Sequence, residues 1–444
     1  MNGKATLILT DKDTGKIVRQ AEEHNMVTNA LSSILNVPAL ALLNLPTVNF
    51  YGKLLPLWQN LMSGVVLLGN TMEENADKFM IPPTVTPIGA AGAAYTGTNP
   101  MRGTFNTSQS GPIDNGYRLV WDFAPEKAVG TIRCIGLTNL LFANLGFSTD
   151  YSLSGMGLST LPQNMDGTNA SAVVTLVSVP GTFYGRVRNN DYYSFKFTSG
   201  SADVFLWVNR ISDLSSIKIP DTAPDFLNPS TVSEINVTLP FAMTNVNLHF
   251  YNHTEDILYF FANTTDTTRT VNIFRYAGVN PETGKIVKSG SAQIPYITVS
   301  DNSVSFAVFN NKFYAAACTN TESRIYIFSA SSGELIESRE TDKSNSIDLY
   351  MFNGYLMASQ NQSGSYFKFF ADYPEYTKLC SDNLRQQTVN GISLPYAVRY
   401  NSNATTTNVM LILRTDYMAT INNLSQPIEK TDRHALQIRY EITN

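Results

Sequence analysis

The sequence predicts a mainly β protein: a β-propeller-like domain of about five blades inserted in a smaller β-rich module, on three observations. First, from Gly181 to Leu424 one theme recurs: an aromatic-rich run, a turn of Asn, Asp or Gly, then a second run led by Tyr or Phe. "GTFYGRVRNNDYYSFKF", "NLHFYNHTEDILYFFANT", "SVSFAVFNNKFYAAACTN" and "NSIDLYMFNGYLMASQNQ" are successive copies. Starts fall near Gly181, Phe241, Asp301, Asn345 and Gly391, a period of roughly 40–50 residues that suits four-stranded blades. Second, charged residues make up only 15% of the 444-residue chain, so Asn, Thr and Ser must supply the polar surface, and with Tyr, Phe and Val they favour strands and turns. Third, clean alternation recurs at both chain ends, in "ATLILTD" and "HALQIRYEITN". A β-sandwich with long hairpins is the alternative architecture.

The elements follow in order. Residues 4–22 read as a hairpin around "KDTG". In "HNMVTNALSSIL", Asn25 or Thr28 can cap a short helix with Val27, Leu31 and Leu35 on its apolar face. The most apolar stretch, 37–69, is broken by Pro38, Pro46, Lys53 and Pro56 into pieces shorter than the ~20 residues of a membrane span. Buried helices and a strand at Gly64–Gly69 are expected there, with triggered bilayer insertion as the alternative. Residues 80–116 carry no period and read as a long ordered loop or arm. Strands resume in "YRLVWDFAP" and "GTIRCIGLTNLLFA", joined by a turn at Glu126–Gly130. A polar passage at 150–170 marks a boundary, which gives a mounting module at 1–170, rejoined by 427–444, and a distal domain at 171–426. Residues 220–240 read as a long loop or as part of a sixth blade.

Net charge and cysteines narrow the partners. A net charge of -5 without a basic run argues against nucleic acid. Cys134, Cys318 and Cys380 are far apart and form no CxxC pair, which suits buried small hydrophobes better than a disulfide framework or zinc site. The start "MNGKATLILTDKDTGK" is a strand–turn pattern and not a signal peptide, so synthesis in a cytoplasm is expected.

Several strings carry a family likeness: "LTDKDTGKIVRQAEEHNMVTNAL" at Leu9–Leu31, "GVVLLGNTMEENADKF" at Gly64–Phe79, "GTFN" at Gly103–Asn106, "YRLVWDFAPEKAVGTIRCIGLTN" at Tyr117–Asn139 and "LQIRYEITN" at Leu436–Asn444. In these the chain resembles tail-associated structural proteins (fibre, collar or baseplate) of bacteriophages of Gram-positive gut bacteria. The resemblance covers about a third of the chain, mainly residues 1–145 and 436–444. It implies a virion protein with an N-terminal module that mounts it on the tail, and it assigns nothing to 150–425.

Motifs for chemistry are few. His249 and His253 have i, i+4 spacing, but in a strand–turn–strand context that separates them by about 13 Å. GxSxG, GxGxxG, P-loop and HExxH strings do not occur. Glu255 and Asp256 form a carboxylate pair of the kind glycoside hydrolysis uses, though adjacent acids in a turn read as solvated loop charges. Asp11, Asp13 and Thr14 form an acidic turn without the later ligands of a calcium loop. Most of the 22 Tyr and 24 Phe should fill the space between blades. Those at strand ends or in loops, Tyr184, Tyr192, Tyr251, Tyr366 and Tyr376, are the candidate ligand or interface contacts. No catalytic residue, cofactor or metal is expected. The expected role is attachment within a virion tail, collar or baseplate. The expected partners are other tail proteins, further copies of the chain, and a bacterial surface glycan or protein. A purely structural assembly protein and a propeller glycosidase are the alternatives.

Overall fold

The computed structural model describes residues 2–24, 26–29, 62, 64–78, 81, 85–138, 174–176, 181–188, 191–210, 230–296, 304–319, 322–341, 346–352, 354–362, 365–370, 373–380, 391–393, 396–401, 409–414 and 417–443. Their contacts define two compact units, one formed by 1–43, 49–170 and 414–444, the other by 44–48 and 171–413.

The first unit opens with the expected hairpin, β1 (Asn2–Asp11) against β2 (Ile17–His24). Asp11 makes the turn: its Oδ1 accepts from the Thr14 hydroxyl at 2.7 Å and from the N–H groups of Thr14 at 2.8 Å and Asp13 at 3.2 Å. These donors, the Thr14 hydroxyl foremost, hold its carboxyl below the usual Asp value. Gly15 then takes φ +66°, a left-handed conformation that favours glycine. Four strands follow: β3 (Met26–Val27), β4 (Gly64–Leu68), β5 (Pro87–Ala91) and β6 (Thr104–Phe105). Next come β7 (Gly111–Ile113), β8 (Gly116–Phe123) and β9 (Gly130–Thr138). The strand expected at Gly64–Gly69 is present as β4, buried along its whole length between β5 and β9.

Two expectations are corrected here. Residues 80–116 are not a bare arm, because they supply β5, β6 and β7. β5 shows no alternation because "PIGAA" is selected for close approach: a Cβ on Gly89 would sit 2.6 Å from the Ala128 methyl and 2.9 Å from the Met101 carbonyl. Val27 lies in strand β3 and not on a helix face, and the Thr28 hydroxyl donates to the Met418 (2.7 Å) and Ala419 (3.1 Å) carbonyls. The helices expected in 37–69 lie outside the described residues. Among the described residues no helix is long and apolar enough to cross a membrane.

The second unit is a five-bladed propeller. A short strand, β10 (Val174–Leu176), precedes four sheets of four strands each. Blade 1 is β11 (Thr182–Arg188), β12 (Asp191–Phe197), β13 (Asp203–Arg210) and β14 (Ser230–Thr238). Blade 2 is β15 (His249–Asn252), β16 (Ile257–Asp266), β17 (Val271–Val279) and β18 (Ile286–Pro295). Blade 3 is β19 (Val304–Phe309), β20 (Lys312–Cys318), β21 (Ser323–Ser329) and β22 (Leu335–Thr341). Blade 4 is β23 (Ser346–Phe352), β24 (Tyr355–Gln362), β25 (Ser365–Phe370) and β26 (Tyr373–Cys380). Blade 5 takes β27 (Gly391–Ser393), β28 (Tyr396–Asn401) and β29 (Val409–Arg414), and β10 pairs with β29 as its outermost strand. The first strand of each blade meets that of the next, and β27 meets β11, so the ring is closed. This excludes the sandwich. Within 220–240, Ser230–Thr238 is the outer strand of blade 1, residues 220–229 lie outside the described residues, and no sixth blade occurs among the described residues.

Local chemistry sets each blade. Asn310 and Asn311 both take positive φ (49° and 57°), the two-residue turn whose twist matches an antiparallel hairpin, and so join β19 to β20. Between blades the aromatic residues interlock. Phe313 has ring centroids of Tyr276 at 5.1 Å, Phe328 at 5.7 Å, Phe306 at 5.8 Å and Phe261 at 5.9 Å around it. Polar groups tie neighbouring blades too: Asn252 Nδ2 donates to the Val308 carbonyl (3.2 Å), the Leu349 N–H to Ser305 Oγ (2.9 Å) and the Tyr276 hydroxyl to the Ala330 carbonyl (2.7 Å).

After the propeller the chain returns to the first unit as β30 (Thr420–Lys430) and β31 (His434–Thr443). β30 pairs with β3 and β9, so the distal domain ends near 413 and not at 426. The ladder carries a bulge: the β30–β9 register shifts between Asn423 and Ile428, and Pro427 sits in the shift, where no ladder hydrogen bond is asked of it. β31 lies between β1 and β8, paired with both. Lys430, buried in β30, donates its ammonium to the Ala124 (3.1 Å) and Pro125 (2.9 Å) carbonyls, and burial pulls its pKa down to about 8.

Candidate functional site

A cluster of polar side chains lies at the turn between β15 and β16. Asn252 builds it: Oδ1 accepts from the N–H and hydroxyl of Thr254 (3.1 and 2.7 Å) and from the N–H of Glu255 (3.3 Å). Asp256 then takes φ +52°. The turn carries the Glu255/Asp256 pair, and each acid is met by a tyrosine. The Tyr251 hydroxyl donates to Asp256 Oδ1 at 2.6 Å, and the Tyr259 hydroxyl to Glu255 Oε2 at 2.9 Å. Lys288 reaches the same Glu255 oxygen at 2.8 Å. Two carboxylates beside aromatic rings can accept hydrogen bonds from a hydroxyl-rich ligand, and Glu255 is exposed.

Of the five sequence-predicted contacts, this arrangement includes one. Tyr251 is half-buried and meets the Tyr184 ring edge-on at 5.3 Å. Tyr184 itself is 1% exposed, so it packs between blades 1 and 2 and presents no surface. The side chains of Tyr192, Tyr366 and Tyr376 lie outside the described residues. Sequence reading passed over Tyr259 and Lys288, which come from different strands and converge only through the β16–β17–β18 ladder.

The His249 ring packs on Phe195 at 5.0 Å, its Nδ1 lies 2.7 Å from the Val246 carbonyl, and burial pulls its pKa down to about 4. Among the described residues no group of three or more His, Cys, Asp or Glu side chains is placed to hold a metal. Cys134 and Cys318 are buried free thiols, Cys134 pushed up to about 12 by desolvation, and the Cys380 side chain lies outside the described residues.

Asp348, on the innermost strand of blade 4, was not singled out by any sequence pattern. Desolvation alone pushes its carboxyl up to about 6 from 3.8. A raised acid favours the folded state least when ionised, so its penalty grows as pH rises from 3.8 toward 6 and is complete above that. Asp348→Asn is therefore expected to stabilise the protein at neutral pH by about 1–3 kcal/mol. Denaturant midpoints across pH check this, and a gain that persists unchanged at pH near 3.8 would contradict the assignment.

Comparison with known proteins adds little to the strand pairing. No family model and no curated protein matches the sequence. Solved structures that match include the Dos1 propeller (9% identity, TM-score 0.24, covering 86% of this chain and 93% of that one). The C-terminal WD40 domain of Sif2 matches at 8% identity and TM-score 0.23, over 52% of this chain and 56% of its own. TolB from Acinetobacter baumannii matches at 9% identity and TM-score 0.27, over 76% and 79%. Similarity this low carries no functional argument.

Proposed function

We propose that this chain is a bacteriophage tail protein that displays its propeller for attachment to the bacterial surface. The observation that supports the reading most is the way the propeller is inserted. Residues of the first unit on either side of the insert meet: the Thr138 hydroxyl donates to the Tyr417 carbonyl (2.7 Å), the Ala419 N–H to the Leu137 carbonyl (2.8 Å), and Thr138 bridges Met418. An insert flanked by host-module residues that pair with each other leaves that module's sheets continuous, which suits a module that mounts and an insert that presents. The phage-like strings fall on the end of β1 and on β2, β3, β4, β6, β8, β9 and β31 of the first unit. Several copies on one tail make weak single contacts effective.

The test uses particles that carry the chain. Fab fragments raised against the propeller should bind intact particles and block adsorption to host cells. Saturating Fab without loss of adsorption would leave a structural tail role and end the attachment reading. Release of reducing sugar from host-wall polysaccharide by the purified chain would instead favour a glycosidase, with Glu255 and Asp256 the first residues to replace.

A further inference from the structure

β18 and β22 are the outer strands of neighbouring blades, each at the end of its sheet. An outer strand has a row of backbone groups with no neighbour in its own sheet, and apolar side chains on such an edge invite pairing. Both strands begin with two aliphatic residues turned to solvent: Ile286 and Val287 are 41% and 51% exposed, Leu335 and Ile336 49% and 56%. A register shift opposite the start of each strand, at Gly278/Val279 and at Ile327/Phe328, breaks the usual in–out alternation there.

The flanking charges are opposite in sign. β18 opens as Lys285-Ile286-Val287-Lys288, β22 as Glu334-Leu335-Ile336-Glu337. Set antiparallel, Lys285 faces Glu337, Ile286 faces Ile336, Val287 faces Leu335 and Lys288 faces Glu334. Two like edges would instead set Lys against Lys or Glu against Glu, which disfavours that pairing. The turn before β22 already lies on β18 of its own propeller, where a Cβ on Gly333 would collide with the Ser291 carbonyl. The matching segments must therefore come from two molecules.

We propose that two copies of this chain associate edge to edge, Lys285–Lys288 of one against Glu334–Glu337 of the other, in a reciprocal pair about a two-fold axis. Because both segments sit on adjacent blades of one ring, a two-fold axis between those blades makes the contact twice. The groups involved have only surface partners to exchange: Lys288 with Glu255, Glu337 with Arg339, and Glu334 with the Ser332 hydroxyl. Lys16-Ile17-Val18-Arg19 on β2 repeats the basic edge, with Ile17 60% and Val18 51% exposed, and is the competing partner for the acidic one.

The experiment is light scattering on the full chain after size exclusion, at about 50 mM and about 500 mM salt. The wild type should run at twice the chain mass in low salt, with association at least about tenfold weaker in high salt. Lys285→Glu with Lys288→Glu should give a monomer, as should Glu334→Lys with Glu337→Lys. Mixing the two variants, or combining all four changes in one chain, should restore the dimer. Circular dichroism confirms folding, and the Lys→Ala pair replaces any reversal that fails to fold. A monomeric wild type, a four-fold variant that stays monomeric, or loss of association only in Lys16→Glu with Arg19→Glu would each overturn the proposal.

Discussion

Ending the chain after Arg433 is expected to unfold the first unit and leave the propeller folded. Terminal segments usually tolerate removal, but β31 is an interior strand paired along its length with β1 and β8. It also supplies Leu436, Ile438 and Tyr440, none more than 1% exposed, and it covers a sheet that carries Leu7 and Trp121 in the core. Truncating buried side chains of this size costs about 2–5 kcal/mol each, and three together approach the roughly 5–15 kcal/mol that holds a domain folded. Hydrogen exchange reads the outcome by region. Amides of β1 and β8 should lose protection while those of β16 and β17 keep it. Retained protection in β1 would show that β31 is dispensable.

The second large effect is expected at Phe313. This ring is fully buried in blade 3 and touches aromatic rings of blade 2 (Phe261, Tyr276) and of its own blade (Phe306, Phe328). Phe313→Ala removes its burial and leaves a cavity among rigid rings that cannot collapse into it, at a cost of about 3–5 kcal/mol. Phe313→Leu keeps most of the volume and should cost less than half as much. Denaturant unfolding followed by exchange protection in β16–β17 and β20–β21 measures both. A loss below about 1 kcal/mol for the alanine would mean that the ring is not a keystone between the blades.

The propeller was readable because each blade opens with a hairpin whose turn and flanking residues are written locally. "FNNKF" encodes the β19–β20 turn through two Asn residues that accept positive φ, and Tyr and Phe lead the strand that follows. The outer strands were harder. "STVSEINVT" in β14 alternates weakly because one side of an outer strand faces water, so it was left between a long loop and part of a further blade. Closure by Val174–Leu176 was not legible at all, since three residues carry no period and their partner lies far along the chain. The same holds for the start of β30, whose partners β3 and β9 lie far back along the chain. At the candidate site, Tyr251 and the acids beside it were visible as residues of one turn. Tyr184 was misplaced because position along a strand does not reveal which face a neighbouring blade will cover. Lys288 was missed because only the folded ladder brings it to Glu255.

The antiparallel join of β9 to β30, with β1 and β31 side by side beyond it, also fixes how tension would travel. A pull between the chain's first and last strands is borne by the ten-residue β1–β31 ladder, loaded across its hydrogen bonds, and never runs along the chain through the ring. The propeller is a side branch of the mechanical circuit. Strain between those strands would have to open β1–β31 and part β31 from β8 before it reached β30 and its pairing with β9.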